Sequence, residues 1–235
     1  MILSLSMLAT GVLAVLVTVV SSPTPAATGA MAAAAALGLG VGSAWLMRAL
    51  RPDRTREMSA ALIDLLGPTF DDSYTLLVAP RLPIRDAGRL DGVLIGPGGV
   101  RVITARDWEG RYRVHRRVWE FDARGRRGWI PCRTNPSFDA TNLTEGFNRW
   151  LAGQDFGELP VRPAIAFPLS RSRIVLEEPD EEVVTADNAP WWANSIGRVR
   201  RLDPTMAGRV VQAVLDGADR TAGASNDAFA SRPSA

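Results

Sequence analysis

The sequence predicts an N-terminal transmembrane helical hairpin followed by an α/β domain, a mixed sheet flanked by helices. Three observations carry this. No charged side chain occurs before Arg48. The stretch Asp91 to Gly110, DGVLIGPGGVRVITARDWEG, reads as strand, tight turn, strand. Beyond residue 51, segments of helical period alternate with segments of strand period as far as about residue 217.

The first apolar run, residues 2–20, is long enough as a helix for about 28 Å, close to the thickness of a hydrocarbon core. SSPTPAA breaks the chain, and a second uncharged run covers 28–47. Gly38, Gly40 and Gly42 give it small surfaces for close helix approach. A cleaved signal peptide is the competing reading of the first run. Its missing positive n-region and its length favour a retained helix. Arg48, Arg51, Arg54 and Arg56 follow the second run, so the positive-inside rule places the remainder at the cytoplasmic face of a cell membrane. The same arginines suit anionic lipid headgroups. The expected organisation is a two-helix anchor over 1–50, a cytosolic domain over 51–217 and a disordered tail over 218–235.

Within the domain, TREMSAALIDLLGP has helical spacing and stops at Gly67-Pro68. YTLLV is a strand, and the hairpin follows. RYRVHRRVWEF alternates and is predicted as one strand with a wet face; WIPCR is a short further strand. Asn135-Pro136 opens a helix that places Leu143, Phe147, Trp150 and Leu151 on one side. VRPAIAFP is a buried strand, and SRIVLEE and EEVVTAD are strands or loop edges. Asp203 and Pro204 open the last helix, with Val210, Val211, Val214 and Leu215 on one side.

Composition narrows the chemistry. All 27 Lys+Arg residues of the 235-residue chain are arginine, and the net charge is only +2. A lysine-free chain points to codon bias more than to a binding task. Cys132 is the only cysteine, which excludes an intrachain disulfide and fits a reducing compartment. With one histidine, His115, a structural zinc site has too few ligands.

The turn fixes the hairpin register. If Gly96 faces Gly99, Ile95 faces Val100 and Asp91 faces Thr104. Opposed side chains on one face sit about 4.5–5.5 Å apart at Cβ. Two carboxylates there would clamp a divalent cation. A threonine stands at 104 instead.

The motif order LDGVLIGPGGVRVITARDWEGRYRV, NPSFDATNLTEGFNRWL and PAIAFP resembles the NERD (nuclease-related) domain. The likeness runs from about Thr55 to Leu215. It implies a restriction-endonuclease-like fold and metal-dependent cleavage of nucleic acid. Asp91 matches the family aspartate; Gly96, Pro97 and Gly99 match the turn; Trp108, Gly110, Asn135 and Pro136 match later landmarks. Thr104 departs from the family's second metal-binding carboxylate and Arg106 from its lysine, and Glu57 is out of step with its first-helix glutamate. Threonine is a poor Mg²⁺ ligand, and arginine stays protonated and cannot act as a base. Asp91, Thr104 and Arg106 are therefore degenerate catalytic positions, and Asp91 is expected to pair with Arg106.

The expected protein is a membrane-anchored, nuclease-related domain without activity and without a cofactor, binding nucleic acid or a protein partner. The alternative is an active Mg²⁺-dependent nuclease. Arg111, Arg113, Arg116, Arg117, Arg124, Arg126 and Arg127, interleaved with Tyr112, Trp119 and Trp129, are the candidate phosphate contacts. Trp191 and Trp192 are the candidate protein anchor.

Overall fold

The computed structural model describes residues 54–84, 89–123, 128–169, 171–198 and 201–230, together with Val12, Ala36 and Val41. The chain falls into two compact units, Met1–Arg54 and Thr55–Ala235. Four α-helices and nine strands are described in chain order. These are α1 (Arg54–Leu66), β1 (Thr75–Val78), β2 (Gly92–Gly96), β3 (Gly99–Ala105), β4 (Gly110–His115), β5 (Val118–Asp122), β6 (Trp129–Pro131), α2 (Pro136–Ala152), β7 (Val161–Phe167), β8 (Ser172–Glu177), β9 (Glu182–Thr185), α3 (Ala189–Gly197) and α4 (Pro204–Ala230). A single 3₁₀ turn, Gly67–Thr69, ends α1.

The strands form two sheets rather than the one expected. The larger has the order β1-β2-β3-β7-β9, the smaller β6-β5-β4-β8. β3, β7 and β9 run parallel, whereas β1, β2 and β3 form an antiparallel meander. Every residue of β2 and β3 is buried, which explains their near-continuous apolar run. On one face Val93, Ile95, Val100 and Val102 pack with Phe147, Trp150 and Leu151 of α2 and Val210 and Val214 of α4. On the other, Leu94, Ile103, Ala164 and Val184 meet Leu62 and Leu66 of α1 and Trp192 and Ile196 of α3. Truncating one such leucine to alanine costs about 2–5 kcal/mol.

Local signals set the ends of these elements. Asn135 caps α2, its side chain accepting from the Ser137 and Phe138 amides. Asp203 Oδ1 accepts the Thr205 amide at 2.8 Å at the start of α4. Gly99 has φ of 105°, and a Cβ there would lie 2.7 Å from the Pro160 carbonyl oxygen, so the turn needs glycine.

Three expectations are corrected. First, no helix among the described residues is long and apolar enough to cross a membrane. This overturns the transmembrane hairpin; its segments 2–20 and 28–47 lie, but for Val12, Ala36 and Val41, outside the described residues. The longest described helix, α4, carries Arg209, Asp216, Asp219 and Arg220 between its apolar positions, an amphipathic pattern. Second, RYRVHRRVWEF is two strands. Arg116 takes φ of 53° at a turn with Arg117, and Val114 faces Trp119. Third, the tail expected from 218 is helical as far as Ala230. Gln212 donates to Asp216 at 2.7 Å and Thr221 to the Gly217 carbonyl at 2.9 Å along this helix.

Candidate functional site

The paired positions at the hairpin end lie where the sequence places them. Gly96 faces Gly99, Ile95 faces Val100 and Gly92 faces Ile103; one step further sets Asp91 opposite Thr104. β2 then leaves the ladder. The Leu90 amide donates to the Pro80 carbonyl at 3.2 Å instead of continuing beside β3. That departure would leave the Ala105 amide without its ladder acceptor. Asp91 supplies one: its Oδ2 accepts from Ala105 N–H at 2.8 Å. The carboxylate thus stands in for a missing strand carbonyl.

Burial pushes the Asp91 carboxyl above its ordinary range, against the Ala105 hydrogen bond and the positive charges of Arg106 and Arg89, which pull it down. Thr104 is 0% exposed, and its Oγ1 has no hydrogen-bond partner among the described residues. Val100 and Val102 point to the side of the sheet covered by α2, and Thr104, two residues on, shares their face.

Arg106 does not pair with Asp91 as expected. Its Nη2 donates to Asp139 Oδ2 of α2 at 2.5 Å. Its backbone amide donates to the Ala166 carbonyl at 2.9 Å, extending the β3–β7 pairing by one bond. Asp139 escaped the sequence reading because it lies 33 residues from Arg106 and in no motif; its place in the first turn of a predicted helix is the only local signal. Glu57 bonds to Arg171 of the β7–β8 connection at 3.2 Å, and both side chains are exposed.

A Mg²⁺ ion needs several oxygen ligands, carboxylates foremost. At this junction one carboxylate holds a backbone amide, a second is tied to a guanidinium, and the third position is a buried hydroxyl. This donor set does not fit the metal that the family resemblance implies. Among the described residues, no group of three or more His, Cys, Asp or Glu side chains is arranged to hold an ion.

The arginines expected to form a basic face divide between two places. Arg111 and Arg113 lie on one side of β4, over the Trp129 ring at 5.4 and 4.8 Å from its centroid. Arg113 Nε donates to Glu120 Oε2 at 2.5 Å, and Arg111 lies 3.7 Å from Asp122. Pairing puts Arg173 beside Arg111 and Glu177 beside His115. The face therefore opposes Arg111, Arg113 and Arg173 with Glu120, Asp122 and Glu177. Arg116 and Arg117 sit at the turn, where Arg117 Nε lies 2.8 Å from the buried Glu181 carboxylate, an ion pair without hydrogen-bond geometry. Arg124, Arg126 and Arg127 lie outside the described residues.

The tryptophan pair separates. Trp192 is 3% exposed; its indole donates to Glu182 Oε2 at 2.8 Å and its ring meets Phe70 edge-on. Glu182 also holds the buried Arg101 through Nε and Nη2 at 3.2 and 3.1 Å. Trp191, next in the same helix, is 72% exposed. Cys132 is half-buried; burial first, and then Glu120, push its thiol up, away from the reactive thiolate.

No family model, curated protein or solved structure matches the chain.

Proposed function

We propose that this chain is a non-catalytic binding domain, of the nuclease-related kind its motif order resembles, whose hairpin end has become a structural joint. The observation that carries the reading is the use already made of each group. Asp91 closes the β3 ladder, Arg106 ties β3 to α2 through Asp139, and Thr104 is packed. Groups that act as a catalytic unit lose several orders of magnitude in rate when one or two members are replaced.

The partner class that fits better is protein rather than nucleic acid. Nucleic-acid affinity comes chiefly from uncompensated cations facing phosphates, and each arginine on the outer face of β4 has a carboxylate nearby. An exposed tryptophan on a helix anchored by its buried neighbour suits a protein interface. The test is incubation of the full chain with single- and double-stranded DNA and RNA in Mg²⁺ or Mn²⁺. No cleavage is expected. Metal-dependent cleavage that disappears in Asp91→Ala would overturn the proposal.

A further inference from the structure

β1 forms one edge of the larger sheet. In an antiparallel ladder, residues alternate between pairs that exchange both backbone bonds and pairs that exchange none. The Ala79 amide donates to the Asp91 carbonyl at 2.9 Å, just beyond the Val78–Gly92 pair. Counting back by two, the backbone groups of Leu77 and Thr75 face β2. Those of Leu76 and Val78 face away from the sheet.

An outward row of donors and acceptors is a template for a further strand. Proteins blunt such edges with charge, proline or a bulge. β1 reads Thr-Leu-Leu-Val and has none of these within it; shortness is its one protection. A cleft of about 520 Å³ runs beside it, walled on the far side by α4. There Leu215 is 44% exposed, and Ala218 and Ala222 are too small to fill the space. The rim carries Arg81 and Arg89, both exposed, against the single carboxylate of Asp219. Neither arginine is ion-paired among the described residues.

We infer that this edge binds an extended peptide segment of a partner protein. The segment adds as a strand to β1, turns alternate apolar side chains into the cleft and sets an acidic residue against Arg81 and Arg89. Main-chain bonds to Leu76 and Val78 supply affinity, and the cleft and arginines supply selectivity. This surface adjoins the hairpin end, where the Arg89 charge acts on Asp91, but its bonding groups are the outward backbone of β1, so it stands whether or not that end cuts nucleic acid.

The probe is a library of random peptides of about eight residues, panned against the full chain. Enriched peptides should alternate apolar residues and carry Asp or Glu towards one end. A synthetic peptide of the enriched sequence should slow exchange of the Leu76 and Val78 amide protons about tenfold or more. N-methylation of alternate peptide amides should weaken binding about tenfold, the loss of roughly one well-made hydrogen bond. Val78→Pro, which removes an outward N–H without touching the ladder, should do the same. Arg81→Glu with Arg89→Glu should weaken binding severalfold and leave the fold intact. Three results would overturn the inference. One is the absence of any enriched set. Another is an enriched peptide indifferent to N-methylation and to the arginine reversals. The third is protection of the two amides that grows with protein concentration alone, which would make β1 a self-pairing edge.

Discussion

Asp91 Oδ2 and the Ala105 amide lie 2.8 Å apart, and their bond replaces the one that β2 would have made had it continued past Leu90. Sequence pairing puts Asp91 opposite Thr104, yet its carboxylate reaches one residue further along β3. The aspartate is therefore explained by backbone bookkeeping alone: a strand that leaves its ladder early needs a side-chain acceptor.

Asp91→Asn keeps an acceptor for Ala105 and removes the charge, whereas Asp91→Ala leaves a buried amide unmet. Asp91→Ala should be less stable than Asp91→Asn by about 1–3 kcal/mol in urea unfolding. The pH dependence has a definite sign. Burial holds the folded Asp91 carboxyl above its ordinary value, so the folded protein binds this proton more tightly than the unfolded chain. The stability this adds is fully present below the ordinary value and is lost as pH rises through the raised one. Relative to Asp91→Asn, the unsubstituted protein should lose ground as pH is raised from about 3.5 towards neutrality. A constant difference across that range would refute the account.

Thr104 tests the same joint from the other strand. Its buried hydroxyl has no partner among the described residues, a condition that costs about 1–3 kcal/mol in proteins. Thr104→Val should therefore stabilise by about 1 kcal/mol, raising the melting temperature by about 2–4 °C. Thr104→Glu, which rebuilds the carboxylate of a metal-dependent nuclease, should destabilise severely because the charge is placed in a packed site. A stability loss in Thr104→Val would mean that the hydroxyl is bonded after all.

The hairpin register was legible because a four-residue turn with glycine at both ends leaves one pairing, and Asn135 and Asp203 announced their helices through capping chemistry. The turn at Arg116–Arg117 was not announced. It contains no glycine, proline or asparagine, and an arginine adopts the left-handed conformation there. One signal was present: the core-facing positions shift from even number at Val114 to odd number at Trp119, as a two-residue turn between His115 and Val118 produces. Missing it merged two strands and hid the second sheet. The partner of Arg106 was beyond local reading, because Asp139 meets it only once α2 packs against β3. The helix α3 escaped because its N-cap, Asn188, turns its side chain back to Thr185 and Val183 rather than to the helix amides, and two adjacent tryptophans mask any period.

The tryptophan pair offers a sharp contrast within one helix. Trp192→Ala removes a buried ring packed on Phe70 and leaves Glu182 without its indole donor. A loss of about 3–5 kcal/mol is expected. Trp191→Ala should change stability by no more than about 0.5 kcal/mol. Thermal denaturation of the two variants checks this. Equal losses would mean that Trp191 is covered within the protein and is not available to a partner.

Charge balance on the outer face of β4 decides between protein and nucleic acid as the partner class. Glu120 and Asp122 face Arg113 and Arg111 across the β4–β5 ladder. Cross-strand pairs of opposite charge contribute about 0.2–1 kcal/mol each, and these two are only partly buried, so Glu120→Gln with Asp122→Asn, which keeps the side-chain shapes, should fold nearly as well as the unsubstituted chain. The double variant would then present Arg111, Arg113 and Arg173 with only Glu177 opposing them. It should shift a single-stranded oligonucleotide in a gel at about 50 mM salt and release it by about 200 mM, as phosphate binding does. The unsubstituted chain should give a much weaker shift under the same conditions. If it bound as tightly as the double variant, these carboxylates would not be screening the arginines, and nucleic acid would displace protein as the preferred partner.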